Sequence, residues 1–359
     1  MSLVSSLEGE RVRGSRSGQL AWLAVVSVAA VILAACSGGS PEPRPAGPPS
    51  AASVSPASQV RVGLATNRSN PFFSQAAIRG AEKAATDFGV QSKNLQAEAG
   101  ETEDVREDRL RELATAGYNP VIVVGTIYTY ALNRVAAEFP HTRFAFVDSG
   151  ALDEKNVTAL VFDEQQGAFL AGTIAAQASK TRRIGFIGGT PGPILDSIAK
   201  SFEDGAKAVQ PAVRLSKEFV SPDASGFDDP GRARSVAAGM IGNGNDVLYT
   251  VAFNSNPGVF EAAAGKRKLA IGMDSDQYLT AAAAQKSAVL TSVVKQVDTA
   301  VYAMIKSAVD GAMLTGEQTF GVKEGGITYA TSNPIVKPYR AIADQFAKRL
   351  ISGTVKVGH

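Results

Sequence analysis

The strongest constraint on the fold is an alternation of short apolar strands and amphipathic helices that starts near residue 60 and starts again near residue 157. The run at residues 120–125 is continuously apolar, as in a strand buried on both faces of a parallel sheet. The helical pattern at 73–88 stops at Gly89. Because such alternation implies right-handed crossovers, the sequence predicts an α/β fold with two doubly wound lobes. The predicted strands are residues 60–65, 120–125, 143–148, 157–162, 183–189, 246–252 and 269–273.

Residues 1–36 have the features of a targeting segment outside the fold. The apolar run 20–35 is short for a membrane-spanning helix but suits the hydrophobic part of a signal peptide. It ends in Leu-Ala-Ala-Cys at 33–36, which resembles the lipobox of bacterial lipoproteins. We therefore expect acylation of Cys36, no disulfide, and a lipid anchor on the extracytoplasmic face of the cell membrane; the alternative is an uncleaved anchor helix with an incidental cysteine.

Residues 37–59 consist mainly of Gly, Ser, Pro and Ala, a composition that cannot bury enough apolar surface to order itself. We predict a disordered tether there. The net charge of the chain is +2, and lysine and arginine alternate with acids instead of clustering on one element. This pattern predicts no nucleic-acid partner.

The remaining residues are enough for two lobes of ordinary size. Lobe one is predicted at 60–161 plus about 290–320, and lobe two at 164–272 plus about 322–359. A three-segment hinge would join them near 162–165, 274–290 and 322–326. Ligands of open parallel sheets bind beyond the carboxyl ends of the strands, so two such lobes in an exported chain predict a solute-binding protein with a cleft.

Asp274 is the main candidate at this cleft. An apolar run, 270–273, ends abruptly in two carboxylates, Asp274 and Asp276, as expected where a strand delivers a side chain into a cleft. The alternative for Asp274 is a helix N-cap. Asp276 is predicted to face away from the cleft and to have a structural role.

Five segments in order resemble the basic membrane protein family of lipoproteins. They are RIGFIGG at 183–189, VFEAA at 259–263, IGMDSDQ at 271–277, LTSVVK at 290–295 and VKEGG at 322–326. The resemblance implies a type I periplasmic-binding-protein fold. It also implies a substrate-binding component of an ABC transporter, in a family whose best understood members are purine nucleoside receptors, with an ABC permease as partner.

The resemblance also implies ligand-binding residues. Asp274 would accept hydrogen bonds from the vicinal hydroxyls of a ribose, and Lys295 would donate to a sugar hydroxyl or a ring acceptor. Phe73 matches an aromatic residue positioned to stack on a base. The alternatives are a hinge or surface lysine for Lys295 and a core ring for Phe73, with Phe72 able to exchange roles with it.

The first loop departs from the family pattern. Asn67 stands at a position where the family has an acidic residue, and Asn70 stands at the position of a second acidic residue. Residues 70–73, Asn-Pro-Phe-Phe, resemble the first loop of ribose-type sugar-binding proteins. Because an amide both donates and accepts, both asparagines are candidate ligand contacts, and a ribose-like sugar is an alternative ligand.

Two further loops contribute candidates. Tyr128 and Tyr130 follow the second strand, where the family has an acid, and the loop at 253–258 adds a ring, Phe253, and amides, including Asn254. Tyr128 and Asn254 are predicted to contact the ligand. For each extra ring, the alternative is a place in the core or at the rim.

Catalytic and cofactor sites are not expected. The two histidines, His141 and His359, cannot assemble a triad or a metal site, and no usable cysteine remains after acylation. The glycines at 185–192 lack the spacing of a dinucleotide fingerprint. The sequence thus predicts a binding protein without cofactor or metal; a surface receptor without transport and a hydrolase are the alternatives.

Overall fold

The computed structural model describes residues 60–150 and 153–358. The predicted signal peptide, the acylation site Cys36 and the tether lie outside these described residues. Within the described ranges, no helix combines the length and apolar character needed to cross a bilayer.

Strands and helices alternate along the chain as the sequence predicts. In order, they are β1 (Arg61–Asn67), α1 (Pro71–Phe88), β2 (Gln91–Ala97), α2 (Glu103–Thr115), β3 (Val121–Val124), α3 (Thr129–Glu138), β4 (Phe144–Val147), β5 (Val157–Phe162), α4 (Glu164–Ala178), β6 (Arg183–Gly188), α5 (Pro193–Val209), β7 (Arg214–Phe219), α6 (Pro230–Gly242), β8 (Val247–Val251), α7 (Asn256–Gly265), β9 (Leu269–Gly272), α8 (Gln277–Thr280), β10 (Val289–Lys295), α9 (Val297–Val309), β11 (Glu317–Phe320), β12 (Ile327–Tyr329) and α10 (Arg340–Ile351).

The strands form two six-stranded sheets. The first has the order β11-β5-β4-β3-β1-β2 and is parallel throughout. The second has the order β12-β10-β9-β8-β6-β7 and is parallel except for β12, which pairs antiparallel to β10. This arrangement confirms the predicted α/β class with two doubly wound sheets.

The chain passes between the two sheets at three places. It passes from β5 into α4 at Asp163, from β10 into α9 at Gln296, and from β11 to β12 through the turn at 321–326. The prediction that lobe one resumes near residue 290 needs correction, because β10 pairs with β9 and β12 in the second sheet. Lobe one resumes only with α9, whose Tyr302 ring lies 5.4 Å from the ring of Phe88 on α1.

Two glycines allow α4 and α5 to pack at backbone distance. A Cβ atom built on Gly172 of α4 would lie 2.0 Å from the Phe202 carbonyl oxygen, and one built on Gly205 of α5 would lie 1.9 Å from the Phe169 carbonyl oxygen. Almost every residue of α4 is buried, which explains its small side chains. This contact fixes α4, whose first residue, Glu164, reaches the junction of the lobes.

We predict that Gly205→Ala destabilises the fold by about 1–3 kcal/mol, because the added methyl group meets backbone and forces the helices apart. Gly239→Ala is the matched control. Gly239 also lies within a helix, but a Cβ atom built there would have no neighbour within 4 Å, so alanine there should stabilise by about 0.5–1 kcal/mol. Urea denaturation measures both, and equal stability of the two variants would contradict the packing described.

Candidate functional site

A buried lysine surrounded by carboxylates lies where the two lobes meet. Lys295 ends β10, and its side chain is 5% exposed. Its Nζ lies 2.9 and 3.1 Å from the two carboxylate oxygens of Asp148 and 3.2 Å from Oδ1 of Asp274, and it also forms an ion pair with Glu164. Asp148 follows β4 of lobe one, whereas the other three residues belong to lobe two. The cluster thus joins the lobes through charge.

The fold explains why these groups converge. Asp148 and Asp274 follow strand ends, and the carboxyl ends of both parallel sheets border the cleft. Glu164 lies in the first turn of α4, where the helix dipole favours an acid. The backbone φ angles of Asp148 and Asp274 are 58° and 72°, in the left-handed region. Such conformations cost free energy and are common at functional sites.

Charge in the cluster is unbalanced. Burial disfavours the ammonium form of Lys295, but Asp148, Asp274 and Glu164 together hold its pKa well above the usual value. Burial raises the pKa of Asp148 to about 6; Lys295 opposes this increase, and the neighbouring carboxylates add to it. One permanent cation therefore faces three carboxylates within this cluster.

A cavity of about 330 Å³ opens beside Lys295 between the lobes. Lobe one contributes the start of α1, including Phe72 and Phe73, and lobe two contributes Asp274, Ser275, Asp276, Leu279 and Lys295. Phe73 is 6% exposed, and its ring centroid lies 5.6 Å from the Lys295 Nζ, at the distance of a cation–π contact. The wall from lobe one thus combines aromatic rings with a cation, Arg79, and the wall from lobe two is charged.

Asp276 lines the same cavity as Asp274, so the prediction that it faces away is wrong. The segment is not extended: Asp274 has a positive φ, and the Ser275 amide donates to the Met273 carbonyl at 2.9 Å. Oδ1 of Asp276 is buried without a hydrogen-bond partner within the described part of the chain. A buried acceptor without a partner is costly, so a ligand hydroxyl donated to it would stabilise the complex.

The structure brings Phe73, Asp274 and Lys295 together at one cavity, whereas the two candidate asparagines shape the first loop. Oδ1 of Asn70 caps α1 by accepting from the Phe73 amide at 3.3 Å. Oδ1 of Asn67 accepts from the Ser69 amide at 2.8 Å. Neither residue lines the 330 Å³ cavity; they hold the loop that presents Phe73.

Tyr128 lies in the core of lobe one instead of at the cavity. Its side chain is completely buried, and its hydroxyl donates to the Thr66 carbonyl at 3.1 Å and accepts from Arg109 at 3.3 Å. Burial raises its pKa to about 12. Tyr130, in contrast, is 74% exposed on the surface.

Asn254 lines a neighbouring cavity of about 440 Å³, together with Phe72, Phe253 and Gln277. This cavity shares Phe72 and Thr280 with the first one. Asn254 is therefore placed to contact only a ligand that extends past Phe72.

Sequence reasoning missed Asp148, Glu164 and Asp276. A signal existed for Asp148, which ends a buried strand just as Asp274 does, and for Glu164, which follows the predicted crossing between lobes. For Asp276, the signal was its spacing from Asp274, because residues two apart on an extended segment lie on the same face.

Comparisons with known proteins agree with this architecture. Residues 64–359 match the family model for the PnrA-like ABC transporter substrate-binding protein, Bmp. The chain is 31% identical over 241 residues to the ABC transporter nucleoside-binding protein BmpA of Lactococcus lactis subsp. cremoris, a match that covers 63% of this chain and 68% of that protein. It is 26% identical over 353 residues to a CD4+ T-cell-stimulating antigen of Listeria monocytogenes, covering 93% and 96%.

Solved structures show the same fold. A transcriptional activator of the comK gene from Bacillus halodurans superimposes with a TM-score of 0.70 at 20% identity, covering 83% of this chain and all of that one. An ABC transporter solute-binding protein from Aeropyrum pernix gives a TM-score of 0.63 at 24% identity, covering 83% and 92%. The family model spans both lobes and the Lys295 site, and the chain therefore belongs to the Bmp family of PnrA-like ABC transporter substrate-binding proteins.

Proposed function

We propose that the chain is a lipid-anchored lipoprotein whose cleft closes on a nucleoside and presents it to an ABC permease. The observation that carries this proposal is the convergence of Phe73, Asp274 and Lys295 on one cavity between the lobes. The name of the lactococcal relative, a nucleoside-binding protein, supports the ligand class. The lipobox-like sequence ending at Cys36 supports the anchor.

The chemistry of the cavity fits a ribose joined to a planar base. Asp274 and the buried Oδ1 of Asp276 offer acceptors for vicinal hydroxyls, and Lys295 offers a donor. The ring of Phe73 offers an apolar face for the base. The cavity lining carries two carboxylates, Asp274 and Asp276, and two cations, Arg79 and Lys295, a balance that suits an uncharged nucleoside.

Closure follows from the position of the cluster. Asp148 of lobe one pairs with Lys295 of lobe two, and the cavity beside them has walls from both lobes. A ligand that contacts both walls stabilises the closed arrangement over an open one, and thereby shifts an existing equilibrium.

A ribose-like sugar is the second candidate. The observation that favours it is that the cavity has one buried ring, Phe73, among several polar groups, whereas a base is commonly held between two rings. Phe72, the other ring at this cavity, is 43% exposed.

Calorimetric titration of the purified chain separates these ligands. We expect binding heat from a purine nucleoside such as adenosine or guanosine and none from ribose alone, because ribose lacks the base that stacks on Phe73. Heat from ribose with none from any nucleoside would overturn the nucleoside proposal in favour of the sugar.

Asp274→Ala should weaken binding of the nucleoside by about 1.5–3 kcal/mol, the contribution of a hydrogen bond to a charged group. Asp274→Asn should lose less, because asparagine tolerates a left-handed φ and keeps one acceptor. Asp108→Ala, at a side chain that is 76% exposed, is the control. Unchanged affinity in both Asp274 variants would remove this residue from the site.

Asp148 should make stability depend on pH. Its pKa in the folded protein, about 6, exceeds the ordinary 3.8, so the folded state holds an extra proton between these values. Its contribution to stability is therefore complete below pH 3.8 and is lost as the pH rises through 6. We expect wild type to lose stability relative to Asp148→Asn across this window in urea denaturation; a constant difference would refute the shift.

A further inference from the structure

A group of basic side chains lies at the end of lobe two opposite the cleft. Parallel strands place all their amino ends at one edge of the sheet, and the loops before β6, β7 and β9 meet there. We call this group the basic pole. Its members are Lys180, Arg182, Arg214, Lys266, Arg267 and Lys268.

The positive charge of the basic pole is not neutralised within the described residues. None of its six side chains has a carboxylate oxygen within 4.0 Å, whereas Lys200, Lys207, Lys217 and Arg234 of the same lobe each form an ion pair. Five of the six residues are exposed, and Lys268 is partly buried. These unpaired cations repel one another, and a bound anion would reduce that repulsion.

Asp246 is the acid among these loops, and it is already engaged. It is 7% exposed, and its carboxylate accepts from the Ser179 hydroxyl at 2.6 Å and from the amides of Lys180 and Thr181 at 2.7 and 2.9 Å. Its carboxylate interacts with the turn that precedes β6. It thus holds Lys180 in position and leaves the outer face positive.

A cavity of about 390 Å³ lies within the basic pole. Lys180, Arg267 and Lys268 line it, together with Ser287 and an apolar part that includes Ile335 and Tyr339. Asp246 also lines it, but its carboxylate already accepts the three hydrogen bonds given above. Arg267 and Arg182 have left-handed φ angles of 52° and 59°, a conformation that glycine and asparagine adopt more readily than arginine. Three cations and a hydroxyl, against one carboxylate that is already hydrogen-bonded, make this concavity suitable for a phosphate group.

The basic pole is wider than a single phosphate ion. Its residues span the strands β7, β6, β8 and β9, which lie side by side. Neighbouring strands are about 4.8 Å apart, so the charges extend over roughly 14 Å. We propose that the basic pole binds a linear polyanion with repeating phosphate groups, one unit of which occupies the 390 Å³ cavity.

Nucleic acid fits this surface less well. Proteins that hold single strands stack bases on exposed aromatic rings, and the ring at this cavity, Tyr339, is partly buried. The prediction of no nucleic-acid partner rested on charge along single elements. Half of the basic pole, the run Lys266-Arg267-Lys268, was visible in the sequence, whereas the other members come from separate loops that only the fold brings to the same edge.

The test is binding of the purified full chain to fluorescently labelled linear polyphosphate, followed by anisotropy at several salt concentrations. We expect binding at about 0.1 M salt and a steep fall in affinity as the salt concentration rises. The reason is that lysine and arginine side chains displace the counterions held by the phosphate groups when the polyanion binds. The variant Lys180→Ala/Arg267→Ala/Lys268→Ala should bind at least about tenfold more weakly and show a smaller salt slope.

The matched control is Lys200→Ala/Lys207→Ala/Arg234→Ala, which removes the same charge from ion-paired positions of the same lobe. It should change the affinity less than about threefold, as expected for exposed pairs. Hydrogen exchange on wild type, which needs no variant, should show polyphosphate protecting residues 180–183 and 264–269. Nucleoside binding in the cleft should be unaffected by polyphosphate.

Four results would overturn the proposal. They are no binding by wild type at the lowest salt concentration, an equal loss in the control variant, displacement by inorganic phosphate at the same phosphate concentration, and tighter binding of a single-stranded oligonucleotide. The third result would indicate a site for a single anion, and the fourth a nucleic-acid partner.

Discussion

The ion pairs around Lys295 are the interaction on which the rest of the site depends. An ammonium buried to this degree is tolerable only with nearby carboxylates, and removing one partner of a buried pair commonly costs about 3–5 kcal/mol. One partner, Asp148, comes from lobe one, while Asp274 and Glu164 come from lobe two. Separation of the lobes would therefore remove one of the three carboxylates from the lysine and would open the cavity beside it.

Packing far from the ligand cavity sets the position of this cluster. Helix α4 starts at Glu164 and continues into the core of lobe two, where Gly172 and Gly205 permit backbone contact with α5. The Lys295 amide donates to the Asp274 carbonyl at 3.1 Å, and this backbone hydrogen bond fixes the positions of the two residues relative to each other. Helix packing and strand pairing thus place the charges before any ligand binds.

Much of this arrangement could be predicted from the sequence, because strand periodicity locates the carboxyl ends of a parallel sheet. Phe73, Asp274 and Lys295 were found in this way or through family resemblance. Loop side chains were predicted poorly: Asn70 caps a helix and Tyr128 enters the core, outcomes that depend on tertiary contacts. The assignment of β10 to lobe two and the left-handed turn at Asp274 likewise depend on neighbours distant in sequence.

Lobe two carries opposite charge at its two ends. Carboxylates outnumber the lysine at the cleft, and the cations of the basic pole occupy the amino ends of the strands. This separation gives the lobe a permanent electric dipole along its strands. The electrostatic potential is therefore positive beside the amino ends of the strands and negative beside the cleft, so the two ends of the lobe attract solutes of opposite charge.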